Sequence, residues 1–126
     1  MSLIKWQYYS DGIEWSTSLT GLAVDKSENV YFVNQENSRI EKYSSVGIVL
    51  LYWQINGLSA SSISIDNAGY VYTFGEMGSG DCMRKYAGSG ILVSKWGNSG
   101  SGDGQLKNPS DIDVDSSGNI YIADMG

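Results

Sequence analysis

Apolar and polar positions alternate in short bursts along this chain, and the bursts recur. Gly21-Leu22-Ala23-Val24-Asp25 is followed, after Lys26 to Asn29, by Val30-Tyr31-Phe32-Val33. Ser62-Ile63-Ser64-Ile65-Asp66 precedes Val71-Tyr72-Thr73-Phe74 in the same way, and Asp111-Ile112-Asp113-Val114-Asp115 precedes Ile120-Tyr121-Ile122-Ala123. In each segment an Asp is followed five residues later by Val or Ile and then by Tyr, and the three Asp lie 41 and 49 residues apart. Self-similarity at that period marks a repeat architecture, in which no single unit buries its apolar face alone.

A second signature follows the first two segments. Ile40-Glu41-Lys42-Tyr43 and Met83-Arg84-Lys85-Tyr86 each have a glycine four residues past the Tyr, at Gly47 and Gly90, and then an apolar run that ends in Trp53 or Trp96. Leu3-Ile4-Lys5-Trp6, followed by Gly12 and by Ile13 to Trp15, repeats the same apolar-x-Lys-aromatic pattern, so the chain opens in the middle of a repeat.

These signals predict four short strands per unit, designated a to d. Strand a, near 20–25, 61–66 and 110–115, alternates apolar with small or acidic residues, as a pleated strand does. Strand b carries the Val-Tyr or Ile-Tyr pair, strand c the Lys-aromatic pair, and strand d the run to Trp. Asp66 to Gly69 and Asp115 to Asn119 read as hairpin turns, with glycine at positive φ and Asp closing onto nearby amides. The first turn, Asp25 to Asn29, has Glu28 in place of the glycine, which predicts a strained turn or one of another type. Gly97 to Gly104 reads as a long flexible surface loop. No helical periodicity is long enough to predict a helix.

Composition narrows the chemistry. The chain of 126 residues carries a net charge of −6 with a pI near 4.3, which argues against a phosphate-binding surface and so against a nucleic-acid partner. There is no histidine, which removes imidazole acid/base chemistry, Ser-His and Cys-His pairs and histidine metal ligands. Cys82 is the single cysteine, so no internal disulfide forms, and nothing nearby suggests an activated thiolate. No apolar run approaches the roughly 18 residues of a membrane span, and the start lacks the layout of a signal peptide. The expectation is a soluble acidic all-β chain with no membrane partner and no assigned compartment.

The stretch from Trp96 through Asn108, Pro109 and Asp115 to Asp124 resembles the NHL repeat, and the resemblance extends more loosely over most of the chain. That family, named for an Asn-His-Leu triplet, typically builds six-bladed β-propellers from four-stranded antiparallel blades. Its usual Asn-His-Arg-Ile lead into strand c appears only as Asn37-Ser38-Arg39-Ile40, and Asp81-Cys82-Met83 stands there in the next unit. The resemblance implies strands c and d in 1–18, whole blades in 19–56 and 57–97, and a loop with strands a and b in 98–126. Those strands amount to three blades with complementary ends. The expected architecture is therefore a propeller half-ring that closes as a six-bladed ring in a two-fold homodimer. Leu3, Lys5 and Trp6 of one copy would complete the blade begun by Ile120, Tyr121 and Ile122 of the other, removing open sheet edges.

Candidate sites are few. Asp111-Ile112-Asp113-Val114-Asp115 has the D-x-D-x-D opening of a calcium loop, but Ser116 and Ile122 occupy the sixth and twelfth places, where glycine and glutamate are needed, and an extended strand cannot wrap an ion. Asp115 is read as a turn residue. Asp111 and Asp113 differ from their counterparts Gly21, Ala23, Ser62 and Ser64, so with Asn34 they are the candidate ligand-binding residues of a propeller channel. The glycines of 97–104 precede a strand and not a helix, so they form no phosphate cradle. Lys5, Lys42 and Lys85 are read as solvated guards on an outer strand, and the recurring tyrosines and tryptophans as packing between blades. Trp15, Tyr8 and Tyr9 do not recur and are better placed for surface contact. No metal, cofactor or catalytic residue is assigned. The leading function is a non-enzymatic scaffold that binds a protein or small ligand. The alternative is part of a metal-dependent propeller lyase or hydrolase with carboxylate and amide ligands near the channel.

Overall fold

Each Asp-to-Tyr segment is a β-hairpin closed by one turn chemistry. In a computed structural model that describes residues 9–10, 14–15, 19–34, 38–55, 62–74, 83–96, 98–99, 105–106 and 109–124, β3 (Leu19–Val24) pairs antiparallel with β4 (Val30–Asn34). Strand β7 (Ile63–Ile65) pairs likewise with β8 (Val71–Phe74), and β13 (Pro109–Val114) with β14 (Ile120–Asp124). At the first turn Asp25 Oδ1 accepts from the Ser27 and Asn29 amides, both at 2.9 Å, while Oδ2 accepts from the Tyr31 hydroxyl at 3.2 Å. Asp66 does the same for Ala68, Tyr70 and the Tyr72 hydroxyl, the last at 2.8 Å. Asp115 does so for Ser117, Asn119 and the Tyr121 hydroxyl, the last at 3.1 Å. The carboxylate satisfies the turn amides with one oxygen and the tyrosine with the other, so the Asp-to-Tyr spacing of six is one hydrogen-bonded unit.

Two of these hairpins extend into four-stranded antiparallel sheets. The first runs β3-β4-β5-β6, with β5 at Arg39–Tyr43 and β6 at Val49–Gln54. The second runs β7-β8-β9-β10, with β9 at Met83–Tyr86 and β10 at Leu92–Trp96. Strand β7 touches β3 on one side and β13 on the other, so the a strands of successive units are neighbours. Apolar residues fill the space between sheets. Tyr31, Val33 and Ile40 of the first sheet form one buried cluster with Ile63, Val71 and Tyr86 of the second. Tyr72, Phe74 and Met83 on the other face of the second sheet form another with Ile112 of the last hairpin. Trp53 lies edge-on to Tyr31 at 6.5 Å and tilted to Tyr86 at 5.5 Å, so aromatic packing does join the first two sheets. The described residues contain no helix, and so none long and apolar enough to cross a membrane.

One sequence expectation changes. Lys42 and Lys85 do not guard an edge: β5 and β9 are interior strands, paired on both sides. Lys42 Nζ donates to Gly88 O of the next sheet at 3.1 Å and lies 5.2 Å from the Tyr31 ring centre, its cross-strand partner. Lys85 sits 4.3 Å over Tyr70 and 5.6 Å over Tyr72. Strand β11 (Asn98–Ser99) pairs in parallel with β12 (Gln105–Leu106), and residues 97 and 100–104 of the expected loop lie outside the described residues. Near the start, β1 (Tyr9–Ser10) pairs with β2 (Glu14–Trp15), so Tyr9 and Trp15 are cross-strand partners. Leu3, Lys5, Trp6, Tyr8 and Cys82 lie outside the described residues.

Glu28 adopts φ of 65° where Gly69 and Gly118 have 90° and 85°, so the first turn keeps the geometry of the others and carries the strain in a residue with a Cβ. Replacing Glu28 with Gly is expected to raise unfolding stability by roughly 0.5–1 kcal/mol in urea titration, with an unchanged denaturant slope. No gain would mean that the side chain carries a compensating contact.

The Asp-Tyr units also set a pH window. Burial acts upward on Asp25, but hydrogen bonds from Asn29, Tyr31 and Ser27 outweigh it and hold the carboxyl below its ordinary 3.8. At Asp115 the Asn119 side chain and amide lead the same downward shift. Tyr31 is pushed up by burial first and then by the Asp25 charge, and Tyr72 is pushed up to about 12 by burial and by Asp66. A depressed carboxyl contributes stability that is present above its unfolded value and is lost as pH falls through the folded one. A raised tyrosine contributes stability that is present below its unfolded value, 10.0, and is lost as pH rises through the folded one. The melting temperature is therefore expected to be flat between about pH 5 and 9, falling on both sides. Asp25→Asn should shrink the acid limb, and an acid limb unchanged in that variant would contradict the assignment.

Candidate functional site

The alternation of β13 puts Asp111 and Asp113 on one face and Ile112 on the other. Ile112 is buried against the second sheet, which leaves both carboxylates exposed on the inner strand. Register sets Asp111 opposite Ala123 and Asp113 opposite Tyr121 on β14. Each carboxylate accepts from the next amide of its own strand, Ile112 or Val114, at 2.9 Å, and its side-chain partner comes from the same position one unit earlier. Ser62 Oγ donates to Asp111 Oδ1 at 2.7 Å and accepts from the Ile112 amide at 3.0 Å. Ser64 Oγ donates more weakly to Asp113 Oδ1 at 3.4 Å, and Asn67 Nδ2 donates to Ser116 O at 3.3 Å. The result is a polar seam between adjacent inner strands, running beside the apolar cluster that joins the same sheets.

Beyond the seam, Asp111, Ile112, Asp113, Tyr121, Ile122 and Ala123 line an open hollow of about 280 Å³. Its chemistry is that of two acceptors on a mostly apolar floor. Hydrogen-bond donors and cationic groups fit it, and among the described residues no neighbouring imidazole or thiol supplies a nucleophile or proton relay. Among the described residues no three His, Cys, Asp or Glu side chains gather as a set that could hold a metal ion.

The structure does not bring Asn34 to this surface. Asn34 ends β4 fully buried and donates from Nδ2 to Glu41 Oε2 at 3.0 Å. Glu41, also buried, accepts from Arg39 Nε at 2.6 Å on the same oxygen and from the Tyr43 hydroxyl at 2.8 Å on the other. Arg39, Glu41 and Tyr43 project to one side of β5 because strand periodicity is two. The carboxylate is thus held by a cation, an amide and a hydroxyl, as burial of a charge requires. The sequence reading missed Glu41. Its signal was present as Arg-x-Glu-x-Tyr within one strand, but repeat comparison hid it, because the equivalent residue of the next unit is Arg84. Of the described residues expected to close a dimer, Ile120 and Ile122 pack inward against the second sheet and Tyr121 faces out.

No protein-family model matches the chain, and no curated protein matches it in sequence. Solved structures do match. Virginiamycin B lyase from Staphylococcus aureus superposes with a TM-score of 0.63 at 16% identity over 86% of this chain and 35% of its own. A streptogramin B lyase gives 0.61 at 13%, over 82% of this chain and 33% of its own. Hydrazine synthase of Kuenenia stuttgartiensis gives 0.67 at 13%, over 94% of this chain and 33% of its own. The chain thus spans about a third of the length of each of these β-propeller proteins. At such identities the likeness concerns fold alone. With its four-stranded antiparallel sheets and inter-sheet cores, the chain has the β-propeller fold.

Proposed function

We propose that the chain is an NHL-type propeller segment that acts as a non-enzymatic binding module, taking a protein or small ligand at the inner-strand surface around Asp111 and Asp113. The observation that carries this reading is the engagement of the three candidate ligand-binding residues. Asp111 and Asp113 receive hydroxyl donors from Ser62 and Ser64, and Asn34 is spent on buried Glu41. A lyase or hydrolase of this fold without histidine would need those groups converged on one ion, with an open coordination position. The polar seam joins sheets instead, while the remaining carboxylate lone pairs face the hollow as acceptors. Two neighbours are lyases by name, but fold alone does not carry their activity to this chain.

Thermal unfolding with Ca²⁺, Mg²⁺ or Zn²⁺ separates the readings, since a ligand of the folded state raises the midpoint by mass action. The midpoint is expected to stay within about 1 °C for each ion at millimolar concentration, far less than tight binding gives. Asp113→Ala should change stability by less than about 1 kcal/mol, because its Ser64 bond is long, at 3.4 Å. An ion-dependent rise that vanishes in Asp111→Asn/Asp113→Asn would replace the binding-module reading with a metal-assisted one.

A further inference from the structure

The chain makes the same contact between consecutive units twice and presents both halves of it once more, unmade. In the made contacts, the outgoing face of one unit carries a tyrosine tethered to its turn Asp, and the incoming face of the next carries two aliphatic residues of strand a. Tyr31 is 1% exposed against a unit that presents Ile63, 6% exposed, and Tyr72 is 4% exposed against a unit that presents Ile112, 4% exposed. The third outgoing face belongs to β13 and β14, and its tyrosine, Tyr121, is 59% exposed. The first incoming face belongs to β3, and there Leu22 and Val24, equivalent to Ile63 and Ile65, are 59% and 53% exposed.

From this we infer that the occupant of the Tyr121 face is the Leu22/Val24 face of a second copy of this chain, docked head to tail. This rests on the repeat geometry and not on the binding-module reading, with which it competes for one surface, because a docked copy covers the hollow lined by Asp111, Asp113, Tyr121 and Ala123. Several features fit the two faces to each other. The tyrosine tether is already formed at Asp115, so Tyr121 is pre-set in the orientation its buried equivalents hold. Gly21 and Ala23 stand where a docked copy meets Asp111 and Asp113, and such small residues leave room for the carboxylates. In the made contact the Ile112 amide donates across the interface to the Ser62 hydroxyl. The equivalent donor of the second copy is the Leu22 amide, and the equivalent acceptor is Asp111, which keeps free lone pairs beyond its two bonds. The contact is heterologous, and two copies that each use both faces form a closed ring, which leaves no such face open. Ion binding at Asp111 and self-association are separate outcomes, so one can fail without the other.

Sedimentation velocity on the chain and on two end-blocked variants tests the contact. Wild type at tens of micromolar is expected to exceed the 13.7 kDa of one chain, with the mass of two copies. Leu22→Asp and Tyr121→Asp each place an unpaired charge at every interface of the ring and should weaken association at least about 100-fold, to monomers. An equimolar mixture of the two variants restores one fully wild-type interface and should give a one-to-one pair. Ala123→Arg, at an exposed position of the same face that is not tethered to the turn, should behave as Tyr121→Asp does and guards against local loss of structure. A monomeric wild type overturns the inference. So do variants that associate like wild type, or a mixture that stays monomeric.

Discussion

The hydrogen bond between a turn aspartate and the tyrosine six residues on is what the rest of this structure depends on. A tyrosine packed between two sheets must bring its hydroxyl to a partner, or burial of the ring is offset by an orphaned polar group. Asp25, Asp66 and Asp115 supply that partner from the hairpin of the same unit, using the oxygen left over after the turn amides are satisfied. One side chain therefore closes the hairpin and fixes the ring that the neighbouring sheet covers. Lysine from the adjacent strand lies over the same ring in two units, and at Lys42 the ammonium goes on to bond the next sheet. Local turn chemistry is thereby linked to long-range packing, which is what a repeat protein needs if each unit is to contact only its neighbours.

Function is confined by the same logic. The outgoing faces of the first two units are committed to the next one, and along the inner strands the side chains differ from unit to unit. Gly21 and Ala23, Ser62 and Ser64, and Asp111 and Asp113 occupy equivalent places with increasing polarity. The serines and aspartates meet across the boundary between units and form a polar seam beside an apolar core. Solved structures named for different activities share this frame, so the frame alone does not fix a function.

Much of the frame was legible in the sequence because strand periodicity and turn residues are local signals. The alternation in Ile63-Ser64-Ile65 and the Asp-x-x-Gly turns mapped directly onto hairpins. The Asp-to-Tyr spacing was equally visible, but its hydrogen bond was not, since a turn role for Asp and a packing role for Tyr each sufficed alone. Failures occurred where a residue's partner is distant in sequence. Lys42 was read as a solvated guard because nothing local says that Gly88 of the next sheet lies within reach of its ammonium. Asn34 looked available for a ligand because its partner Glu41 is across a strand pair whose register the sequence does not state. Glu28 was legible in part: a non-glycine at a turn glycine position implied strain or another turn, and the structure chose strain, because Asp25 still closes the turn at both amides.

A double-mutant cycle on Asp66 and Tyr72, the pair with the shortest of the three hydrogen bonds, measures that central interaction most directly. Unfolding stabilities of wild type, Asp66→Ala, Tyr72→Phe and the double variant should reveal a coupling of at least about 1 kcal/mol, as for a hydrogen bond to a charged group. Losses that add to within about 0.3 kcal/mol would show that turn and tyrosine act independently, and would contradict the account.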